Sequence, residues 1–168
     1  MLFRSVAVGQ ELQQDRRAAL PFGEDHADTG SIIIVIATNA PLTAAQLERL
    51  CRRATLGLGR VGGTSGDGSG DIFVSFSTAN PGANSAPRPF VQGAAAATTP
   101  PPEVKIAMLP NWAMNPLFDA TVRATEEAIV NAMAGAKTMT GVDGHTTKAL
   151  PHDEVKKLMA QAHKPTPW

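Results

Sequence analysis

Gly30-Ser31-Ile32-Ile33-Ile34-Val35-Ile36 decides how the rest of the chain is read. A polar loop, Asp25 to Gly30, meets an unbroken β-branched run there. Such a run predicts a strand over Ser31–Ile36 that is covered on both faces, as in parallel sheets. The junction also has a chemical reading. If the chain cuts itself between Gly30 and Ser31, Ser31 becomes an N-terminal residue carrying a hydroxyl and a free α-amine, a nucleophile with its own base. A plain loop-to-strand boundary fits the same local sequence.

Downstream, Thr43 and Gln46 form the T-x-x-Q pattern of a capping box, with Leu42 and Leu47 at the hydrophobic-staple positions. The helix that begins at Ala44 is expected to bury Leu47, Leu50, Cys51, Ala54 and Leu58 and to stop by Gly62–Gly63. Arg49, Arg52, Arg53 and Arg60 read as its solvated face. Gly62 to Asp71 follows, with five glycines in ten residues, a composition that brings backbone N–H groups close to a ligand or neighbour. It leads into a strand at Ile72–Ser77. Ala79–Pro102 is rich in Ala and Pro without periodicity and predicts a mobile surface insertion. A strand is expected over Val104–Leu109. Asn115–Pro116 is expected to cap a second helix with the stripe Leu117, Phe118, Val122, Ala128, Ile129, Ala132 and Met133. Thr140–His145 is turn-rich, Asp153–His163 suits a short helix, and 164–168 reads as a tail. Strands and helices do not alternate strictly, so the fold class is α+β.

The composition narrows the function classes. The 168 residues suffice for one domain with a core, 43% are hydrophobic, and Lys plus Arg balances Asp plus Glu at 15 each. Zero formal charge gives no general attraction to nucleic acid or to an anionic membrane. Cys51 is the single cysteine. It forms no internal disulfide and reads as a buried structural thiol. No run reaches the ~20 apolar residues of a membrane span. Met1–Arg4 is not followed by a signal-peptide core, which points to the cytoplasm. A strand reading of Leu2–Val8, starting without lead-in, predicts a natural domain that extends upstream.

The glycine loop fails as a P-loop: it has no lysine and runs from helix to strand. The dinucleotide fingerprint fails for the same topological reason. His26, His145, His152 and His163 are scattered, and Asp67 and Asp71 lack calcium-loop spacing, so no metal site is expected. Serine chemistry remains. If the strands at Ser31 and Ile72 are neighbours, their beginnings meet. A hydroxyl relay Ser31–Ser69 with the charge of Asp71 nearby is then reasonable. By spacing alone, turn hydrogen bonds by Ser65, Ser69 and Asp71 are the favoured account of the same residues.

Several motifs together carry a family resemblance. Gly30–Thr38 with Ala40–Pro41–Leu42, Arg52–Leu58 with Arg60–Gly63, and Gly68–Phe73 running on to Phe76–Asn80 are similar to the L-aminopeptidase D-esterase/amidase family, which includes the β-peptidyl aminopeptidases. Asn115–Phe118, Ala124–Ile129 and Thr140–Gly141 with Asp143–Gly144 continue the match. The resemblance implies self-cleavage at Gly30–Ser31 into associated α- and β-chains. It implies an αββα sandwich related to ornithine acetyltransferase, Ser31 as nucleophile, and Ser69 and Asp71 as its partners. Substrates would be short peptides, amides or esters with a free amino end, with no cofactor and a homo-oligomeric assembly. Residues 1–30 would be the end of an α-chain, and 31–163 the β-chain-like catalytic domain, interrupted at 79–102. Only thirty residues precede Ser31. Most of the α-chain, including the family's oxyanion asparagine, would thus be missing or separately encoded. Two alternatives accompany the peptidase reading: a truncated, non-catalytic association module, and an acyltransferase of the ornithine acetyltransferase type.

Overall fold

The computed structural model describes residues 30–83 and 103–162. The expectations for Leu2–Val8, for most of the insertion and for the tail fall outside these residues.

Strands β1 (Ile33–Thr38) and β2 (Ile72–Ser77) pair in parallel, with Ile33 opposite Ile72 and Thr38 opposite Ser77. Helix α1 (Ala44–Arg60) connects them. Its start follows the capping box: Gln46 N–H donates to Thr43 Oγ1, and Thr43 N–H donates to Gln46 Oε1 at 3.0 Å. Gln46 is buried as well, because its amide donates to Leu109 O (2.7 Å) and Asn111 Oδ1 (3.1 Å). The residue that caps the helix thereby ties down the segment leading to helix α2 (Asn115–Gly135). Leu42, Leu50 and Met114 form the buried core, with Ile36, Leu47, Leu109, Leu117 and Phe118 packed around them.

Several sequence expectations change. Val104–Leu109 is not a strand; Ala107 exchanges both backbone bonds with the Asn80 side chain, and Leu109 N–H donates to Pro41 O. These bonds to Asn80 and Pro41 stand where a sheet partner was expected. Asn115 does not cap α2. A 3-10 turn at Asn111–Ala113 runs into the helix, and buried Met114 is the cap residue, with Leu117 and Phe118 bonding to its carbonyl. The fully buried side chains of α2 are Thr121 and Thr125, while Leu117 and Phe118 of the apolar stripe pack against the core half-buried. Arg49 and Arg53 are half-buried, their guanidinium carbons 4.9 Å and 3.9 Å from the Phe118 ring centroid. Arg52 and Arg60 do face solvent, paired with Glu48 and Glu126.

The two threonines are buried because α1 and α2 approach closely at Gly57. A Cβ at Gly57 would lie 2.6 Å from Thr125 Cβ and 2.7 Å from Val122 O. Thr121 tolerates burial by donating its hydroxyl to Leu117 O at 2.7 Å. Ala128, Ile129, Ala132 and Met133 instead line a groove of about 400 Å³ beside β1.

The helices cover one face of the sheet. Ser75 points toward α1, where its hydroxyl meets Cys51 Sγ at 3.2 Å. On the opposite face Ile33, Val35, Ile72, Val74 and Phe76 are 46–69% exposed. The expected cover on both faces is therefore present on one. A hairpin of β3 (Met139–Thr140) and β4 (Thr146–Thr147) follows α2, turning through Asp143 and Gly144 at positive φ, and α3 (His152–Ala162) closes the described chain. The architecture is α+β.

The contact at Gly57 yields a stability test. Gly57→Ala places a methyl where the partner helix offers backbone, so it is expected to destabilise by about 1–3 kcal/mol despite alanine's better helix propensity. The urea midpoint measures this; an unchanged or raised midpoint contradicts the close approach.

Candidate active site

Parallel pairing puts the beginnings of β1 and β2 at the same end of the sheet. Ser31 lies just ahead of β1, and Ser69, Gly70 and Asp71 just ahead of β2. The glycine-rich loop after α1 closes over the same end. A pocket of about 250 Å³ there is lined by Gly30, Ser31, Ser69 and Asp71, with Leu58, Thr64 and Ser65 among its walls. All four residues singled out in the sequence thus share one pocket.

Their contacts are specific. Gly70 N–H donates to Ser31 Oγ at 2.9 Å. The approach is close: a Cβ at Gly70 would stand 3.2 Å from that oxygen. Asp71 Oδ1 accepts the Ile32 amide at 3.0 Å, one residue beyond Ser31. Asp71 Oδ2 accepts the Ser65 hydroxyl at 2.9 Å. Ser69 Oγ accepts the Asp71 amide at 3.4 Å. The ladder begins at once, with Ile72 N–H on Ile32 O. The relay read from the sequence takes a different form in this arrangement: Ser31 Oγ is engaged by the Gly70 amide, and Ser69 Oγ by the amide of Asp71.

Two participants were not singled out as site residues. Gly70 donates through its backbone, which leaves no side-chain signature. Ser65 has the sequence signature of a turn residue, and six residues before Asp71 nothing local announces its direct hydroxyl–carboxylate bond. Among the described residues, no group of three or more His, Cys, Asp or Glu is arranged to hold a metal ion, and no helix is long and apolar enough to cross a membrane.

The Asp71 carboxyl is held below its ordinary value of 3.8, first by the Ile32 amide, then by the Ser65 and Ser69 hydroxyls. A carboxyl that binds its proton more weakly in the folded chain contributes stability at pH above its unfolded value. That contribution is lost as the pH falls through the lowered folded value. Denaturation at stepped pH is therefore expected to show wild type losing stability more steeply than Asp71→Asn below about pH 4. Parallel curves for the two proteins would contradict a carboxylate anchored in this way.

The sequence pattern of peptidase family S58 matches residues 1–147. The chain is 43% identical over 130 residues to beta-peptidyl aminopeptidase BapA of Sphingosinicella microcystinivorans, covering 77% of this chain and 30% of that protein. It is 38% identical over 144 residues to the BapA of Sphingosinicella xenopeptidilytica, covering 84% and 32%. The chain thus spans about a third of the length of these curated relatives. Among solved structures, the PH0078 protein of Pyrococcus horikoshii OT3 superposes with a TM-score of 0.72 at 38% identity, covering 98% of this chain and 39% of that one. The l-aminopeptidase d-ala-esterase/amidase of Ochrobactrum anthropi, a prototype for the serine aminopeptidases and a variant of the Ntn hydrolase fold, superposes with a TM-score of 0.71 at 34% identity, covering 96% and 39%. A family pattern running through strands β1 and β2, helices α1 and α2 and the pocket at the strand beginnings makes this chain a member of peptidase family S58.

Proposed function

We propose that this chain carries the nucleophile half of a self-activating serine aminopeptidase. The observation that carries the reading is the double hold on Ser31: Gly70 N–H on its Oγ, and Asp71 on the amide that follows it. In the uncut chain Ser31 Oγ attacks the Gly30 carbonyl carbon. The Gly30–Ser31 C–N bond breaks as an ester forms, and the hydroxyl proton ends on the Ser31 nitrogen. Water then hydrolyses the ester, leaving a Gly30 carboxylate and an N-terminal Ser31 with its hydroxyl restored.

The second reaction reuses the same atoms. Ser31 Oγ attacks the acyl carbon of a short peptide, amide or ester with a free amino end. The Ser31 α-amine, with a reference pKa of about 7.7–8.0, accepts the hydroxyl proton and returns it to the departing amine or, from an ester, alcohol. Water releases the acyl group. Ser69 supports the proton transfer, and Asp71 holds the strand beginnings in register. A positioned acid or base of this kind contributes about 10²–10⁴-fold.

The bare sheet face bears on the partner. Parallel strands are stable with both faces covered, and the five apolar side chains on the open face call for a second layer. We assign that layer to the α-chain of the peptidase reading. That chain would also supply an oxyanion donor, whose loss typically costs about 2.7–4 kcal/mol in the transition state. The same open face supports the second reading, a non-catalytic association module.

Intact-mass measurement tests the first step. Native protein is expected to resolve into two species divided at Gly30–Ser31, and Ser31→Ala to remain a single species. A single uncut wild-type species sinks self-processing. Hydrolysis of aminoacyl amides tests the second step: it is expected when an α-chain of a relative is supplied, and its absence under that condition favours the association module.

A further inference from the structure

We propose that Ser65 is a positioning residue for the chemistry at Gly30–Ser31: its hydroxyl fixes the Asp71 carboxylate in the orientation that grips the Ile32 amide. The proposal rests on the self-processing reading and adds a third point of attachment to it.

The backbone at Ser65 has φ +48°. That left-handed conformation favours glycine and carries a cost for any residue with a Cβ. The loop uses glycine freely, at positions 62, 63, 66, 68 and 70, yet a side chain stands at this position. Its hydroxyl donates to Asp71 Oδ2 at 2.9 Å. The side chain present at a conformation suited to glycine is thus engaged on the one ionisable group among the pocket's described lining residues.

The geometry explains what this bond does. A carboxylate held through a single oxygen still swings about its side-chain bonds. Asp71 is held at both ends, Oδ1 by Ile32 N–H and Oδ2 by Ser65. The Ile32 amide is the peptide that leaves Ser31, so clamping it limits rotation of Ser31 on its C-terminal side. Gly70 N–H restrains the Ser31 side chain from the other direction. Removing the Ser65 hydroxyl frees one end of the clamp and widens the range over which Ser31 Oγ approaches the Gly30 carbonyl.

Two variants separate positioning from folding. Ser65→Ala removes the hydroxyl and keeps the unfavourable backbone. Ser65→Gly removes the hydroxyl and relieves the backbone. Both are expected to slow self-cleavage of the intact polypeptide by about three- to tenfold, the size of an exposed hydrogen bond to a charged group. Ser65→Gly is expected to keep or raise the urea midpoint. In parallel, the Ile32 amide proton shift is followed by NMR against pH. It reports Asp71 directly, and its transition is expected to move upward in both variants. Ser65→Gly cleaving at the wild-type rate overturns the proposal, as does slowing that tracks a lowered midpoint. A wild-type protein that stays uncut removes the self-processing reading instead. The Ile32 titration then still decides whether Ser65 holds Asp71: an upward move supports the clamp, and an unmoved transition overturns it.

Discussion

The parallel pairing of β1 with β2 is the constraint on which the rest depends. In an antiparallel pair of the same register length, the beginning of one strand faces the end of the other, and Ser31 would lie near Ser77. Parallel pairing instead sets Ile33 opposite Ile72 and brings the residues ahead of each strand together. It also demands a crossover. A six-residue strand advances about 20 Å, while the 17 residues of α1 return about 25 Å. The helix overshoots the sheet, and the glycine-rich loop takes up the surplus on the way back to β2. That loop is therefore obliged to lie over the strand beginnings, where Ser31 is.

This placement differs from the usual arrangement of parallel sheets, in which ligands collect at the carboxyl ends of the strands. Under the proposed self-cleavage, a nucleophile made by cutting the chain ahead of a strand sits at the amino end. The loop that serves it then has to run from helix to strand, the direction that excluded phosphate-cradle readings of its glycines. The same glycines do other work. Gly70 admits the Ser31 hydroxyl to its amide, and the loop delivers Ser65 to the far side of Asp71.

What was legible in the sequence was what short-range chemistry decides. The capping box at Thr43 and Gln46 could be read because both partners lie within one helical turn. Ile72–Ser77 could be read because a glycine loop and a β-rich run delimit it. The meeting of the Ser31 and Asp71 segments follows from the two strands being neighbours. What was hidden was decided at a distance. Val104–Leu109 has a strand's composition, but a single side chain, Asn80, takes up the backbone bonds of Ala107. Thr121 and Thr125 outrank the apolar stripe because Gly57, some sixty residues earlier, draws the helices together. The role of Ser65 depends on a backbone angle that no residue type announces.

The hydrogen bonds on Asp71 also bear on how a carboxylate and an amine base can share one site. In a chain cut at Gly30–Ser31, the new α-amine lies one residue from the amide that Asp71 holds. A bare carboxylate there would favour the ammonium form and raise the amine's pKa, weakening it as a base near neutrality. Asp71 is not bare. Its oxygens accept the Ile32 amide and the Ser65 hydroxyl, and the same donors that lower its own pKa offset part of its field. A carboxylate committed to backbone and hydroxyl donors holds the strand beginnings together while drawing less on the amine proton. On the proposed mechanism the charge at Asp71 acts mainly through alignment, and the proton transfers are left to Ser31, its own nitrogen and Ser69.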